Sequence, residues 1–249
     1  MFRRLVLVLL TLSVAGCGGG GGSSSSSPSS PTTVTPTTVS VAISPSTDML
    51  KIQGTETFAV TATMSDGTSR AVSGTWSSSA ASVATVDSSG KTTAVASGQA
   101  TITVTYSGAS ATRTIRVVPD YQGGWTGDYT VLSCQDSGGF HQEDWCKAAM
   151  GDPVVRVTMT LTQTRDTIAG TWTHKLMAGA VQGTIEADGT LALTGNGSTE
   201  GTPINIAGWR TLSTDNKTQT GKYTLTFTSS VWSGSSQASV EIRTCSKSS

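Results

Sequence analysis

The chain has 249 residues, with 16 Lys and Arg against 16 Asp and Glu, and only 13% of its residues are charged. Zero net charge excludes the electrostatic footprint of a nucleic-acid binder, or of a protein held to an anionic membrane by its own basic residues. Globular domains average about a quarter charged residues. Here Gly, Ser and Thr take up the difference, which fits an extracytoplasmic all-β protein better than a cytosolic enzyme.

Arg3 and Arg4 give a basic start, Leu5 to Leu12 form a short apolar run, and small residues follow. The run is too short to cross a hydrocarbon core about 30 Å thick as a helix, so it reads as a secretory leader. Val14-Ala15-Gly16-Cys17 resembles the lipobox of bacterial lipoproteins. The resemblance implies cleavage after residue 16 and lipidation of Cys17, with the membrane as partner through that anchor. Gly18, in place of Asp, then points to the outer membrane. Each buried methylene contributes about 0.8 kcal/mol, so two or more acyl chains hold stably. Residues 17–38 continue as a Gly, Ser, Thr and Pro linker with almost nothing apolar to offset the entropy of ordering it. A flexible coil of about twenty residues spans roughly 25 Å on average.

From residue 39 to 119 the pattern is of short alternating strands. Phe58, Val60, Ala62 and Met64 fall on one face of a strand that turns at Asp66-Gly67, a hairpin signal. Val83, Val86, Val95, Ile102 and Val104 are the further inward candidates, with turns at Asp87–Gly90 and Ser97-Gly98. About seven strands at this spacing predict a β-sandwich. The stretches ISPS, TWSSSAASVATVDSSGK, AVASGQATITVTY and TRTIRVV resemble the bacterial immunoglobulin-like domain of group 2. The resemblance implies a two-sheet sandwich with Trp76 in its core and no catalytic residues. It implies a stalk, or else a module that itself adheres to a glycan or protein.

Residues 120–249 show eight segments of period-two alternation: Trp125–Ser133, Val154–Gln163, Thr167–Lys175, Ala180–Ala187, Thr190–Gly195, Ile204–Leu212, Gln219–Thr228 and Gln237–Thr244. One face is apolar and the other rich in threonine. Short connections such as Asp188-Gly189 make neighbours antiparallel. Eight such strands in a meander predict a closed up-and-down barrel, with an open sandwich as the alternative. The fold class is therefore all-β: an N-terminal immunoglobulin-like β-sandwich followed by an eight-stranded antiparallel β-barrel. An interior of that size is filled by side chains or holds one small ligand. Gly123-Gly124-Trp125 at the start, with Arg243 in the last strand, is similar to the lipocalin-like (calycin) pattern. That resemblance implies that Arg243 covers the Trp125 ring and closes the barrel end by cation–π contact.

With Cys17 lipidated, Cys134, Cys146 and Cys245 remain. Cys134 ends the first barrel strand and Cys146 lies in the loop after it. Cys245 ends the last strand, beside the start of the first and far from Cys134. A Cys134–Cys146 disulfide is predicted, with Cys245 free or paired between molecules. The loop from Cys134 to Pro153 gathers Phe140, His141, Glu143, Asp144 and Trp145. Phe140, His141 and Trp145 are candidates for contact with a sugar or partner surface. The bland alternative is a disulfide-pinned lid with its aromatics packed over one barrel end. The spacing of His141, Glu143 and Asp144 matches no zinc or calcium pattern, and no metal or other cofactor is expected. His174 shares the inward parity of Trp172 and reads as a hydrogen-bonded rim residue. No nucleophile elbow, zincin helix or phosphate loop occurs, so no catalytic residue is named. The reading is a monomeric envelope protein that binds a glycan, a protein or a small ligand, or that serves envelope structure. A lipocalin-like carrier and a hydrolase with an unrecognised site are the alternatives.

Overall fold

A computed structural model describes residues 34–152, 154–175 and 177–248. The leader, Cys17 and the linker up to residue 33 lie outside the described residues. Ten short strands come first: β1 (Thr38–Ser44), β2 (Met49–Lys51), β3 (Thr55–Thr57), β4 (Ala59–Met64), β5 (Ser69–Val72), β6 (Thr75–Ser78), β7 (Ala84–Val86), β8 (Lys91–Ala94), β9 (Gly98–Tyr106) and β10 (Ala109–Val118). They form sheets ordered β1-β4-β5, β2-β10-β9-β6 and β3-β8-β7. The three-residue strands account for the excess over seven.

The alternation in β4 works as its residues dictate. Phe58, just before it, and Val60, Ala62 and Met64 are all buried. Phe58 and Val60 meet Ile102 and Val104 of β9 and Ile115 and Val117 of β10, and half-buried Trp76 packs against the same core. Gly90, at φ +85°, permits this: a Cβ there would stand 2.3 Å from the Phe58 carbonyl and 3.0 Å from the Trp76 ring. Val95 is a correction. Thr92 and Ala94 take the inward positions of β8, so Val95 falls on the opposite parity and is 46% exposed.

The barrel follows: β11 (Gly123–Asp136), β12 (Val154–Thr164), β13 (Thr167–His174), β14 (Met177–Ile185), β15 (Leu191–Thr199), β16 (Thr202–Thr211), β17 (Lys222–Thr228) and β18 (Ser236–Lys247). Each strand pairs antiparallel with the next, and β18 returns to β11, closing the barrel. Val157, Met159 and Leu161 point inward from β12, and the threonines between them face solvent. Ile168 and Trp172 do the same from β13. Closure leaves no barrel edge unpaired.

The two domains meet through a polar junction. Asp120 lies 2.6 Å from Lys51 Nζ of the sandwich and 3.0 Å from Lys247 Nζ of the barrel. Burial opposes ionisation of Asp120, but the two ammonium groups outweigh it and hold the carboxyl below its usual range. Arg165 meets Asp48 through two hydrogen bonds of 3.0 and 2.9 Å. Arg116 pairs with Asp166 at 2.7 Å and donates to the Ile185 carbonyl. Asn216 donates to Ile52 O and accepts from Asp120 N, both at 2.8 Å. Tyr121 is the plug. It is fully buried, donates from Oη to Gly189 O at 2.9 Å, and accepts from Ser213 N at 2.9 Å.

Trp125 lies next to this plug and donates from Nε1 to Tyr121 O at 2.7 Å. The residue over its ring is Lys247, with Nζ 5.6 Å from the centroid. This corrects the expectation for Arg243. The last strand runs three residues beyond Thr244, so Trp125 pairs with Lys247. The register also shifts between Asp128 and Tyr129, which face Thr244 and Ile242. Arg243 is the extra residue of that bulge, and it faces solvent.

Candidate functional site: a lidded cavity in the barrel

The end of the barrel away from the junction carries a lid. After β11 the chain forms two short helices, α1 (Gly139–Gln142) and α2 (Trp145–Gly151), where sequence reading gave only a loop. The predicted Cys134–Cys146 disulfide is present, with Cα atoms 5.3 Å apart. Asp136 adds a second clasp. Its carboxylate accepts from Cys146 N and from His141 Nδ1, each at 2.9 Å. The Cys146 amide, and then His141, hold that carboxyl below its ordinary value.

Phe140 is 0% exposed, which corrects its assignment as a surface contact. Its ring sits edge-on to Trp145 and Trp232, at centroid distances of 5.4 and 5.1 Å. Trp145 in turn meets Phe227 of the barrel wall at 5.4 Å. The lid is thus an aromatic stack that begins inside the barrel. Gly139 makes it possible, since a Cβ there would stand 2.8 Å from the Trp232 side chain. Of the three proposed contact residues, only His141 is largely free, at 78% side-chain exposure. Among the described residues, no group of three or more His, Cys, Asp or Glu side chains is placed to hold a metal ion.

Beneath the lid is a cavity of about 310 Å³. The junction half of the barrel is packed solid by Trp125, Leu161, Ile168, Ile185 and Leu191, and none of these borders the space. Tyr129, Tyr223 and Trp209 form its floor. Tyr129 lies edge-on to Trp209 at 6.0 Å and to Tyr223 at 6.5 Å. Trp172, Trp145 and Phe227 stand in the walls. The mouth lies between α2 and the β13–β14 turn, where Ala148, Asp152, His174 and Lys175 border it. Lys175 and Asp152 form an ion pair across that mouth.

The polar atoms of this site are unusual. Tyr129 Oη, Tyr223 Oη, Trp209 Nε1 and both ring nitrogens of His174 are buried and make no hydrogen bond of normal geometry, and the Tyr129 hydroxyl lies close to the Tyr223 hydroxyl, Trp209 Nε1 and the Cys245 thiol. Buried polar groups are normally satisfied. Burial holds both phenols above their ordinary range, hence neutral. Burial, helped by the Lys175 charge, lowers the His174 pKa. His174 is therefore a rim residue as its parity predicts, but it lacks the partners expected for it. Cys245 is free and buried opposite Gly127, and burial pushes its thiol up to about 11.

Sequence reading missed Tyr129, Trp209 and Trp232. Tyr129 shares the parity of Trp125 and was legible on that ground. Trp209 was not, because Ile204 and Ile206 put residue 208 inward. The ladder shifts register opposite Leu193 and Gly195, and Gly208 takes φ +84°, so residue 209 turns in. The Gly208-Trp209 pair was the available signal.

Residues 32–117 match the family described as the bacterial Ig-like domain (group 2). A comparison with curated protein sequences finds no match. Two solved structures are similar in outline. The structure of surface layer protein SbsC, domains 4–9, has a TM-score of 0.32 at 14% identity, covering 82% of this chain and 31% of that one. The structure of S-layer protein SbsC, domains 5–6, has a TM-score of 0.31 at 15% identity, covering 82% of this chain and 98% of that one. The chain thus spans about a third of the first. A likeness of this degree says nothing of function.

Proposed function

We propose that this is a lipid-anchored protein of the bacterial envelope whose barrel binds one small apolar ligand, with the Ig-like domain and linker as its mount. The observation that carries the binding reading is the 310 Å³ cavity. It sits at the lower end of the range for ligand pockets, about 300–1,000 Å³, and has their usual apolar and aromatic walls. The Cys134–Cys146 disulfide supports an oxidising, extracytoplasmic setting. The reading includes no reaction. Among the described residues, His174 is the one imidazole at the cavity, and no nucleophile lies within hydrogen-bond distance of it.

The test of binding is titration of N-phenyl-1-naphthylamine against the Cys17→Ser full chain, read by probe enhancement and tryptophan quenching. Saturable one-to-one binding is expected. Ala149→Trp fills the mouth from the lid, where Ala149 lines the cavity without belonging to the barrel wall. It is expected to weaken binding at least ten-fold. Unchanged binding in that variant places the probe elsewhere and defeats the reading. The anchor is tested separately by metabolic labelling with an alkynyl fatty acid. Label is expected in the membrane fraction, and Cys17→Ser is expected to lose both label and membrane retention.

A further inference from the structure

We infer that the cavity takes the hydrocarbon tail of a single-chain amphiphile and leaves its head group in water at the mouth, so that the protein selects by tail length and not by head. The inference rests on the binding reading and deepens it.

What meets a guest inside is hydrocarbon. Val131, Val157, Ile206, Ala238 and Val240 line the barrel wall. Tyr129, Tyr223 and Trp209 border the same space with their rings. Their polar atoms have no surface open to it, and the Tyr129 hydroxyl lies against the Tyr223 hydroxyl, Trp209 Nε1 and the Cys245 thiol. The Trp172 indole N–H is spent on the Asn196 carbonyl at 3.0 Å. A polar group carried to the floor therefore gives up its water and gains no hydrogen bond, which is costly. A methylene loses no partner there and leaves water favourably.

Charge is found at the mouth. Asp152 and Lys175 are the charged side chains at the cavity, and they pair with each other across its opening. Both side chains are more than half exposed. A head group that stops at this level stays hydrated, and an exposed pair of opposite charges favours neither sign strongly.

The girth of the guest follows from the barrel. The interior of eight strands is about one side chain wide, and its junction half is already filled by Leu161, Ile168 and Leu191. The space left suits one alkyl chain entering end-on, not two side by side. An apolar cavity of about 150 Å³ holds the six carbons of benzene, so 310 Å³ admits about a dozen.

The test is isothermal titration of the Cys17→Ser full chain with octanoate, decanoate, dodecanoate and tetradecanoate, all below their critical micelle concentrations. Affinity is expected to rise about four-fold per methylene and to level off near dodecanoate. Dodecyltrimethylammonium and dodecyl maltoside should bind within about five-fold of dodecanoate, the limit set by an exposed ion pair. 12-Hydroxydodecanoate, which carries a hydroxyl at the tail end, should bind more weakly by about ten-fold or more. Equal binding of the hydroxylated chain overturns the tail-first orientation. A wider spread among the three heads overturns selection by tail alone. An unbroken rise through tetradecanoate overturns the fit of chain to cavity. Failure of every chain, with N-phenyl-1-naphthylamine still binding, overturns this inference and leaves the binding reading standing. Failure of that probe as well overturns both.

Discussion

A Trp125→Ala chain is expected to melt far below wild type. Trp125 is 1% exposed and sits where the barrel meets the sandwich. Its loss removes a large buried ring, the hydrogen bond to the Tyr121 carbonyl and the seat for the Lys247 ammonium. Aromatic-to-alanine changes in packed cores cost about 3–5 kcal/mol. For a folded unit of this size each kcal/mol lowers the midpoint by about 2–4 °C, so a drop of roughly 6–20 °C is expected by calorimetry. Lys247→Ala isolates the cation–π share and is expected to cost about 0.5–2 kcal/mol. Arg243→Ala should leave the midpoint within about a degree, since the side chain sits on a solvent-facing bulge. A loss of under about 1 kcal/mol in Trp125→Ala would show that the ring does not close the barrel.

The second large effect belongs to the lid. Removing the Cys134–Cys146 link frees a loop closed over a sequence separation of 12 residues. The chain-entropy relation gives about 3 kcal/mol for a loop of that length. Every 1.4 kcal/mol is a factor of ten, so the open lid should become roughly a hundred-fold more populated. Lys147 reports on this directly, because it lies in α2 next to Cys146 with 79% of its side chain exposed. When opening is fast relative to cleavage, proteolysis tracks the population of the open form. Cys134→Ser with Cys146→Ser is therefore expected to raise tryptic cleavage after Lys147 by one to two orders of magnitude. The barrel strands should keep their far-ultraviolet circular dichroism. Cleavage at the wild-type rate would mean that the Asp136 clasp and the aromatic stack hold the lid without the disulfide.

Much of the fold was legible because both domains obey a period of two. Leu161, Trp172, Val181 and Tyr223 all point as their alternation dictates, and the one-step hairpins at Asp66-Gly67 and Asp188-Gly189 force antiparallel neighbours. The failures cluster where that period breaks. Arg243 and Trp209 sit at register shifts, and one extra residue moves every side chain beyond it to the other face. Val95 lies just past the end of a four-residue strand whose inward places went to Thr92 and Ala94. The lid failed for a different reason. Neither α1 nor α2 has a side-chain cap, and at four and seven residues both are too short for a periodic pattern to stand out, so little local marks them as helices. They are held by tertiary contacts with the disulfide, Asp136 and Trp232. The cavity itself follows from the sizes of the inward residues taken together, which strand-by-strand reading does not sum.

The first barrel strand runs 14 residues from Gly123 at the junction to Asp136 under the lid. Allowing for strand tilt, that is a path of about 35 Å along the axis. The molecule is thus polarised. Its sealed base is bolted to the neighbouring domain through Asp120, Arg116 and Arg165, while the cavity opens at the opposite pole. Among the described residues, none of the sandwich borders the opening, so the neighbouring domain leaves that pole uncovered.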